Sequence, residues 1–235
     1  MFDQLRSSLT NTSKRPELAS NVFVVGLGRF GVSLASTLVE LDIEVLAIDT
    51  NQKLVDQWAD KLTHVRRADG TSADTLRQLG AAQFDAAVVA IGTGVEASIL
   101  TTAALIDVGV TTIWAKAITP EHARILTRVG ANHVVQPEYE MGKRVAHQVT
   151  GEVIDYVTID DGFVLAEIQA PEAFNGQLIK DLHVRDQYNV NIVSIKHAGA
   201  RFTHASPDTV VTTGDIILVA GEVADVERFA HNASR

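Results

Sequence analysis

The sequence predicts an α/β protein, a doubly wound parallel sheet followed from about residue 151 by a smaller α+β unit. Three observations carry that expectation. From Asn21 to Gln136 short apolar runs alternate with helical stretches, and most runs are continuous, as in strands covered on both faces. A glycine turn, "GLGRFG" at 26–31, joins the first run directly to the first helical stretch. Beyond Gly151 the alternation gives way to strand-rich sequence.

The apolar runs are "VFVV" (22–25), Ile43–Asp49, Thr63–Asp69, Phe84–Gly92, Thr111–Ala117 and His133–Gln136. Between them, Asn51, Thr71 and Thr119-Pro120 mark helix starts, since short polar side chains satisfy the first N–H groups and proline fits the first turn. A further helix is expected over 137–150, with Met141, Val145 and Val149 on one apolar stripe. Strands are then expected at Val153–Ile159, Phe163–Ala170, Val190–His197 and Asp215–Gly221, and helices at Gly176–Tyr188 and Glu222–Ala230. The division expected is a disordered polar arm over 1–20, a first domain over 21–150 that includes the 137–150 helix, and a second over 151–235. A domain of about 85 residues buries a modest core and gains from pairing with a copy of itself.

Composition excludes several classes. The chain has 235 residues, 46% hydrophobic and 21% charged, with a net charge of −9. That acidity argues against a nucleic-acid partner. Cysteine is absent, so there is no disulfide frame and no thiolate nucleophile. The amino terminus lacks the apolar stretch of a signal peptide, and no run approaches the ~20 apolar residues of a membrane span; a soluble, cytosolic chain is expected. The eight histidines are scattered without metal spacing, and neither a G-x-S-x-G elbow nor a P-loop is present.

Gly26, Gly28 and Gly31 form G-x-G-x-x-G, after a strand and ahead of a helix, and Asp49 lies at the end of the next strand. The first glycine permits the tight turn, the second admits phosphates to the backbone, and the third lets helix and sheet pack closely. Helix N–H groups then meet phosphate charge, while Asp49 accepts from ribose hydroxyls. These features imply an adenine nucleotide and leave open whether an NAD-type enzyme or an ATP/ADP sensor holds it. Arg29 adds charge beside the phosphates or reaches a phosphate held by a neighbouring subunit. No catalytic constellation accompanies the turn, which points to sensing rather than an enzyme.

With "GLGRFG" (26–31), "EVLAIDTN" (44–51), "AIG" (90–92) with "ASILTT" (97–102), "IWAKA" (113–117), "GANHVVQPEYEMG" (130–142), "VRDQYNVNI" (184–192) and "VAGEVADVERF" (219–229), the chain resembles the KtrA-type cytosolic regulatory subunits of Ktr/Trk potassium-uptake systems. The resemblance implies a Rossmann-like RCK (KTN) domain followed by a small α+β RCK C-terminal (TrkA-C) domain. It implies dimers assembled into an octameric ring beneath a separate K⁺-translocating membrane subunit, KtrB- or TrkH-like, on the cytoplasmic face of the membrane.

In that reading ATP or ADP occupies the cleft. The turn of Gly26, Leu27, Gly28, Phe30 and Gly31 cradles phosphates, Asp49 holds the ribose with Asn51 near ribose and adenine, and Thr50 belongs to the same site. Asp69 and Gly70 lie near ribose and adenine, and Ala90, Ile91 and Gly92 complete the lining. Arg29 reaches the terminal phosphate of nucleotide in the paired subunit, and Lys116 adds to the phosphate contact or is simply a partly exposed lysine. Glu138 matches a position that helps hold Mg²⁺, Na⁺ or Ca²⁺ against the phosphates; an acid in a helix's first turn also has a plain electrostatic use. The second domain resembles a cyclic di-AMP module at Ile179, Arg185, Asn191, Ile192 and Pro207, with Lys180 standing where the pattern is apolar and Phe163 where it has leucine. A dimerisation unit without ligand is the plainer reading. An NAD(H)-binding Trk-type regulator or small NAD-dependent oxidoreductase is the alternative for the whole.

Overall fold

A computed structural model describes residues 19–149, 153–160 and 162–233. The first 18 residues of the expected arm lie outside them. Ser20, counted with the arm, is tied down: its N and Oγ donate to Asp85 Oδ2 at 2.7 and 2.9 Å, and the Asn21 side chain accepts from Asp85 N at 2.7 Å. The chain divides into two compact units, one ending at Pro137 and one beginning at Glu138.

The first unit is a six-stranded parallel sheet in the order β3-β2-β1-β4-β5-β6. Its strands are β1 (Asn21–Val25), β2 (Glu44–Asp49), β3 (His64–Arg67), β4 (Ala86–Val89), β5 (Ile113–Lys116) and β6 (His133–Val135). Its helices are α1 (Arg29–Glu40), α2 (Gln52–Trp58), α3 (Ala73–Gln78), α4 (Val95–Asp107) and α5 (Pro120–Val129). Strand order reverses between β1 and β4, and the crevice beyond their carboxyl ends is where such sheets hold ligands. Val22 to Val25 are all buried, as the unbroken apolar run required. One face packs Phe23, Leu76, Leu105, Ile113 and Leu126; the other packs Val24, Leu27, Ala47 and Val55.

The helix starts come from their caps. Asn51 Oδ1 accepts from Lys53 N at 3.0 Å, and Thr119 Oγ1 from His122 N at 3.1 Å with Pro120 in the first turn. At α3 the cap is Ser72, whose Oγ accepts from Thr75 N at 3.3 Å, one residue beyond the Thr71 expected. Thr71 is held back because its own N and Oγ1 both donate to Asp69 Oδ1, at 2.9 and 2.8 Å.

From Glu138 on, α6 (Pro137–Val149), the helix that the sequence attaches to the first domain, belongs to the second unit. It is fastened here by Arg144, whose Nε donates to Asp155 Oδ1 at 2.7 Å, and by the His147 ring against Tyr156 at 4.7 Å. None of its residues is buried, and Met141, Val145 and Val149 are 53%, 44% and 80% exposed. An antiparallel sheet comes next in the order β10-β9-β11-β8-β7, from β7 (Asp155–Asp160), β8 (Phe163–Gln169), β9 (Asn191–Lys196), β10 (Thr203–His204) and β11 (Ile216–Glu222). With helix α8 (Val223–Ala233) it closes a core around Ile168, Ile195, Ile217 and Phe229.

The helix expected over 176–188 does not form as one piece. Ile179 N and Lys180 N donate to Thr209 O and Pro207 O, and Leu178 bridges Val210. These pairings hold 178–180 against 207–210 and leave a single tight turn at Ile179–Asp181. His183 then takes φ 48°, and only α7 (Val184–Tyr188) is α-helical. Strand β10 was not anticipated; at two residues it is too short to show a period.

Candidate functional site

A cleft of about 330 Å³ opens where β1, β2, β3 and β4 end, wholly within the first unit. Gly26 has φ 105° and its N donates to Ile48 O at 2.8 Å, binding the turn to β2. Asp49 fixes the turn a second time. Its Oδ2 accepts from Leu27 N and its Oδ1 from Asn51 N, both at 2.7 Å. Each oxygen keeps a lone pair, so the carboxylate can position the turn and still accept from a ligand hydroxyl.

The three glycines differ in what they do. A Cβ on Gly31 would lie 1.9 Å from Gly26 O, so helix and turn touch there backbone to backbone. A Cβ on Gly28 would meet nothing within 4 Å; it would project into open space at the start of α1. That is the pattern a phosphate-accepting turn needs: one glycine for packing, another for approach. α1 carries no acidic residue in its first turn, so its exposed N–H groups keep their field for an anion.

The cleft brings together Gly26, Gly28, Asp49, Thr50, Asn51, Asp69, Gly70, Ala90, Ile91 and Gly92 of the sites read from the sequence. Asp69 gives Oδ1 to Thr71 and leaves Oδ2 for a ligand. Leu27 is buried beneath the turn and Phe30 packs half-buried on the α1 face; both shape the turn from outside the lining. Arg29 is exposed and is also outside the lining. Lys116, read as a phosphate contact or else a partly exposed lysine, is only 6% exposed. Its Nζ would lie 3.5 Å from a Cβ on Gly92 and sits 5.7 Å from the Phe30 ring centre, so it lies beside Gly92 of the cleft but outside the lining. The lining also includes Leu54, Thr71, Thr93, Ala97 and Thr101, which the sequence reading missed. Thr71 was signalled by its place two residues after Asp69, and Ala97 and Thr101 fall within "ASILTT"; Leu54 and Thr93 carry no local mark.

Glu138 lies in the first turn of α6, in the second unit. Among the described residues no three His, Cys, Asp or Glu side chains converge to hold a metal ion. Also among the described residues, no helix is long and apolar enough to cross a membrane.

A second pocket, about 440 Å³, lies in the second unit. It collects all five positions singled out there: Ile179, Arg185, Asn191, Ile192 and Pro207. Lys180 and His183 line it too, and Lys180 Nζ pairs with Asp208 Oδ1 at 2.8 Å.

The TrkA-N domain family matches residues 22–137 and the TrkA-C domain family residues 163–234. The chain is 39% identical over 207 residues to Ktr system potassium uptake protein C of Bacillus subtilis strain 168, covering 88% of this chain and 94% of that one. It is 34% identical to Ktr system potassium uptake protein A of the same strain, over 88% and 93%. Among solved structures, the GsuK RCK domain superposes with a TM-score of 0.63 at 17% identity, over 92% of this chain and 48% of that one, which establishes the shared fold. The glycine turn, the switch-point cleft and the two domains in this order thus agree with the sequence relatives: the chain belongs to the family of KtrA-type regulatory subunits of Ktr potassium-uptake systems.

Proposed function

We propose that the chain is a cytosolic gating subunit that binds ATP or ADP in the first-unit cleft and thereby regulates K⁺ flux through a separate KtrB- or TrkH-like membrane subunit. The observation that carries this is the turn at 26–31, built with an open approach at Gly28 and pinned by Asp49. Bound nucleotide supplies phosphate charge and ribose hydroxyls. The turn and the α1 N-terminus receive the phosphates, Lys116 adds positive charge there, and Asp49, Asn51 and Asp69 hold the nucleoside.

Arg29, exposed and outside its own cleft, is directed to the terminal phosphate of nucleotide in a paired copy. A triphosphate offers it a group that a diphosphate lacks, so ATP favours one dimer geometry by differential binding. Glu138 holds Mg²⁺, Na⁺ or Ca²⁺ against those phosphates, with remaining ligands from phosphate oxygen and water. The uncovered stripe of α6 suits self-association into dimers and an octameric ring at the inner face of the membrane. In the second unit, Arg185 and the apolar Ile179, Ile192 and Pro207 offer cyclic di-AMP a phosphate contact and adenine-facing walls.

An acidic residue at the end of β2 also suits the ribose of NAD(H), which keeps a nicotinamide-linked regulator or small oxidoreductase as the second reading. Titrating the purified chain with ATP, ADP and NADH separates the two. Saturable ATP and ADP binding, with co-purification of a K⁺-conducting membrane protein, is the outcome expected; preference for NADH overturns it.

A further inference from the structure

Among the described residues, three buried polar side-chain atoms have no hydrogen-bond partner: Ser98 Oγ, Thr101 Oγ1 and His122 Nε2. Only Thr101 lines the cleft. It is fully buried on α4, beneath the turn that succeeds β3. A Cβ on Gly70 would come within 3.2 Å of its Cγ2 and 3.3 Å of its Oγ1, and within 2.6 Å of Val25 Cγ1. Thr101 therefore lies at the nucleoside end, beside Asp69 and Gly70, and away from the phosphate end at Gly28.

A buried threonine on a helix has an easy way to satisfy its hydroxyl, the carbonyl four residues back. The next residue takes it: Thr102 Oγ1 donates to Ser98 O at 2.9 Å. Thr101 makes no such bond. Its hydroxyl is enclosed against Gly70, where it forfeits hydrogen bonds to water without replacing them. A valine would fill the same space without that cost. The hydroxyl thus weakens the ligand-free protein, and the gain must lie in another state.

We infer that Thr101 is a nucleoside-recognition residue whose hydroxyl finds its partner only on the bound nucleoside, when the Asp69–Gly70–Thr71 turn shifts off it. The inference rests on the nucleotide reading above but is indifferent to the group that the adenosine carries. ATP, ADP and NADH all share the adenosine half, so each depends on Thr101 to the same degree.

The test is equilibrium titration of the full chain with ADP, ATP and NADH, for wild type, Thr101→Val and Thr101→Ser, together with ligand-free melting. Thr101→Val should bind ADP about three- to tenfold more weakly, with the same factor for each nucleotide that the wild type binds. Its ligand-free melting temperature should be equal to or above wild type. Thr101→Ser, which keeps the hydroxyl, should hold affinity within about twofold. Unchanged affinity in Thr101→Val overturns the inference and leaves the nucleotide reading standing. So does a weakened Thr101→Val that also melts lower without ligand, since that marks plain packing. Wild type that binds none of the three nucleotides overturns both.

Discussion

The two pockets are built in opposite ways. The first-unit cleft is made of backbone: a glycine turn, four strand ends and carboxylates spent on main-chain N–H groups, as when Asp49 accepts from Leu27 N and Asn51 N. The second-unit pocket is made of side chains, from a tight turn, a five-residue helix, the start of β9 and the loop 205–207, with 178–180 held there by long-range pairing. A backbone-built site has little freedom to vary, because its atoms also hold the sheet together. A side-chain site can be retuned by one substitution, and Lys180, paired with Asp208 at the second pocket, is such a point. Ligand and fold should therefore be hard to separate in the first unit and easy to separate in the second.

The sharpest break of that contrast uses one substitution at two glycines. Gly31→Ala puts a methyl carbon 1.9 Å from Gly26 O and should cost on the order of 3 kcal/mol or more, a fall of about 6–12 °C in melting temperature. Both tryptophans, Trp58 and Trp114, lie in the first unit, so their fluorescence reports its unfolding. Gly28→Ala faces open space, should cost under about 1 kcal/mol, and should weaken nucleotide binding about tenfold or more by blocking the approach. Equal stability of the two variants would show that the turn is not packed as described.

Asp215→Asn comes next. Asp215 is 1% exposed; burial alone would raise its pKa, but Thr212 N, the His197 ring and Thr212 Oγ1 outweigh burial and hold it below the ordinary value. A depressed carboxylate contributes stability that is complete above its unfolded pKa, about 4, and is lost as pH falls through the lower folded value. Asp215→Asn should cost about 1–3 kcal/mol at neutral pH, and the deficit should shrink on acidification below about pH 4. Tyr139, Tyr156 and Tyr188 all lie in the second unit and supply its signal. A deficit constant from pH 7 to pH 3 would contradict the assignment. The smallest effect is at Lys180. Breaking its exposed pair with Asp208 in Lys180→Met should leave stability within about 0.5 kcal/mol, while cyclic di-AMP affinity, read by calorimetry, rises severalfold. A large loss of stability would place Lys180 in the fold rather than the pocket.

The same contrast governs how much of the molecule is legible from sequence. Continuous apolar runs and the spacing of Gly26, Gly28, Gly31 and Asp49 stated the sheet and most of the cleft, because each depends on neighbours in sequence. The segment 176–188 carries a helical pattern, yet its N–H groups pair with Thr209 and Pro207, partners about 30 residues away. Thr101 falls within "ASILTT", but nothing local shows that its hydroxyl is buried without a bond beside a distant glycine. For Lys116 only the plainer alternative, a partly exposed lysine, fails, because its place at the end of β5 buries the side chain.

Nucleotide discrimination through Arg29 is decided by calorimetric titration of wild type and Arg29→Ala with ATP and with ADP. An exposed arginine outside its own cleft that reads a partner's terminal phosphate should, when removed, weaken ATP binding about tenfold and leave ADP within about twofold. Equal losses for both nucleotides, or none for either, would contradict it.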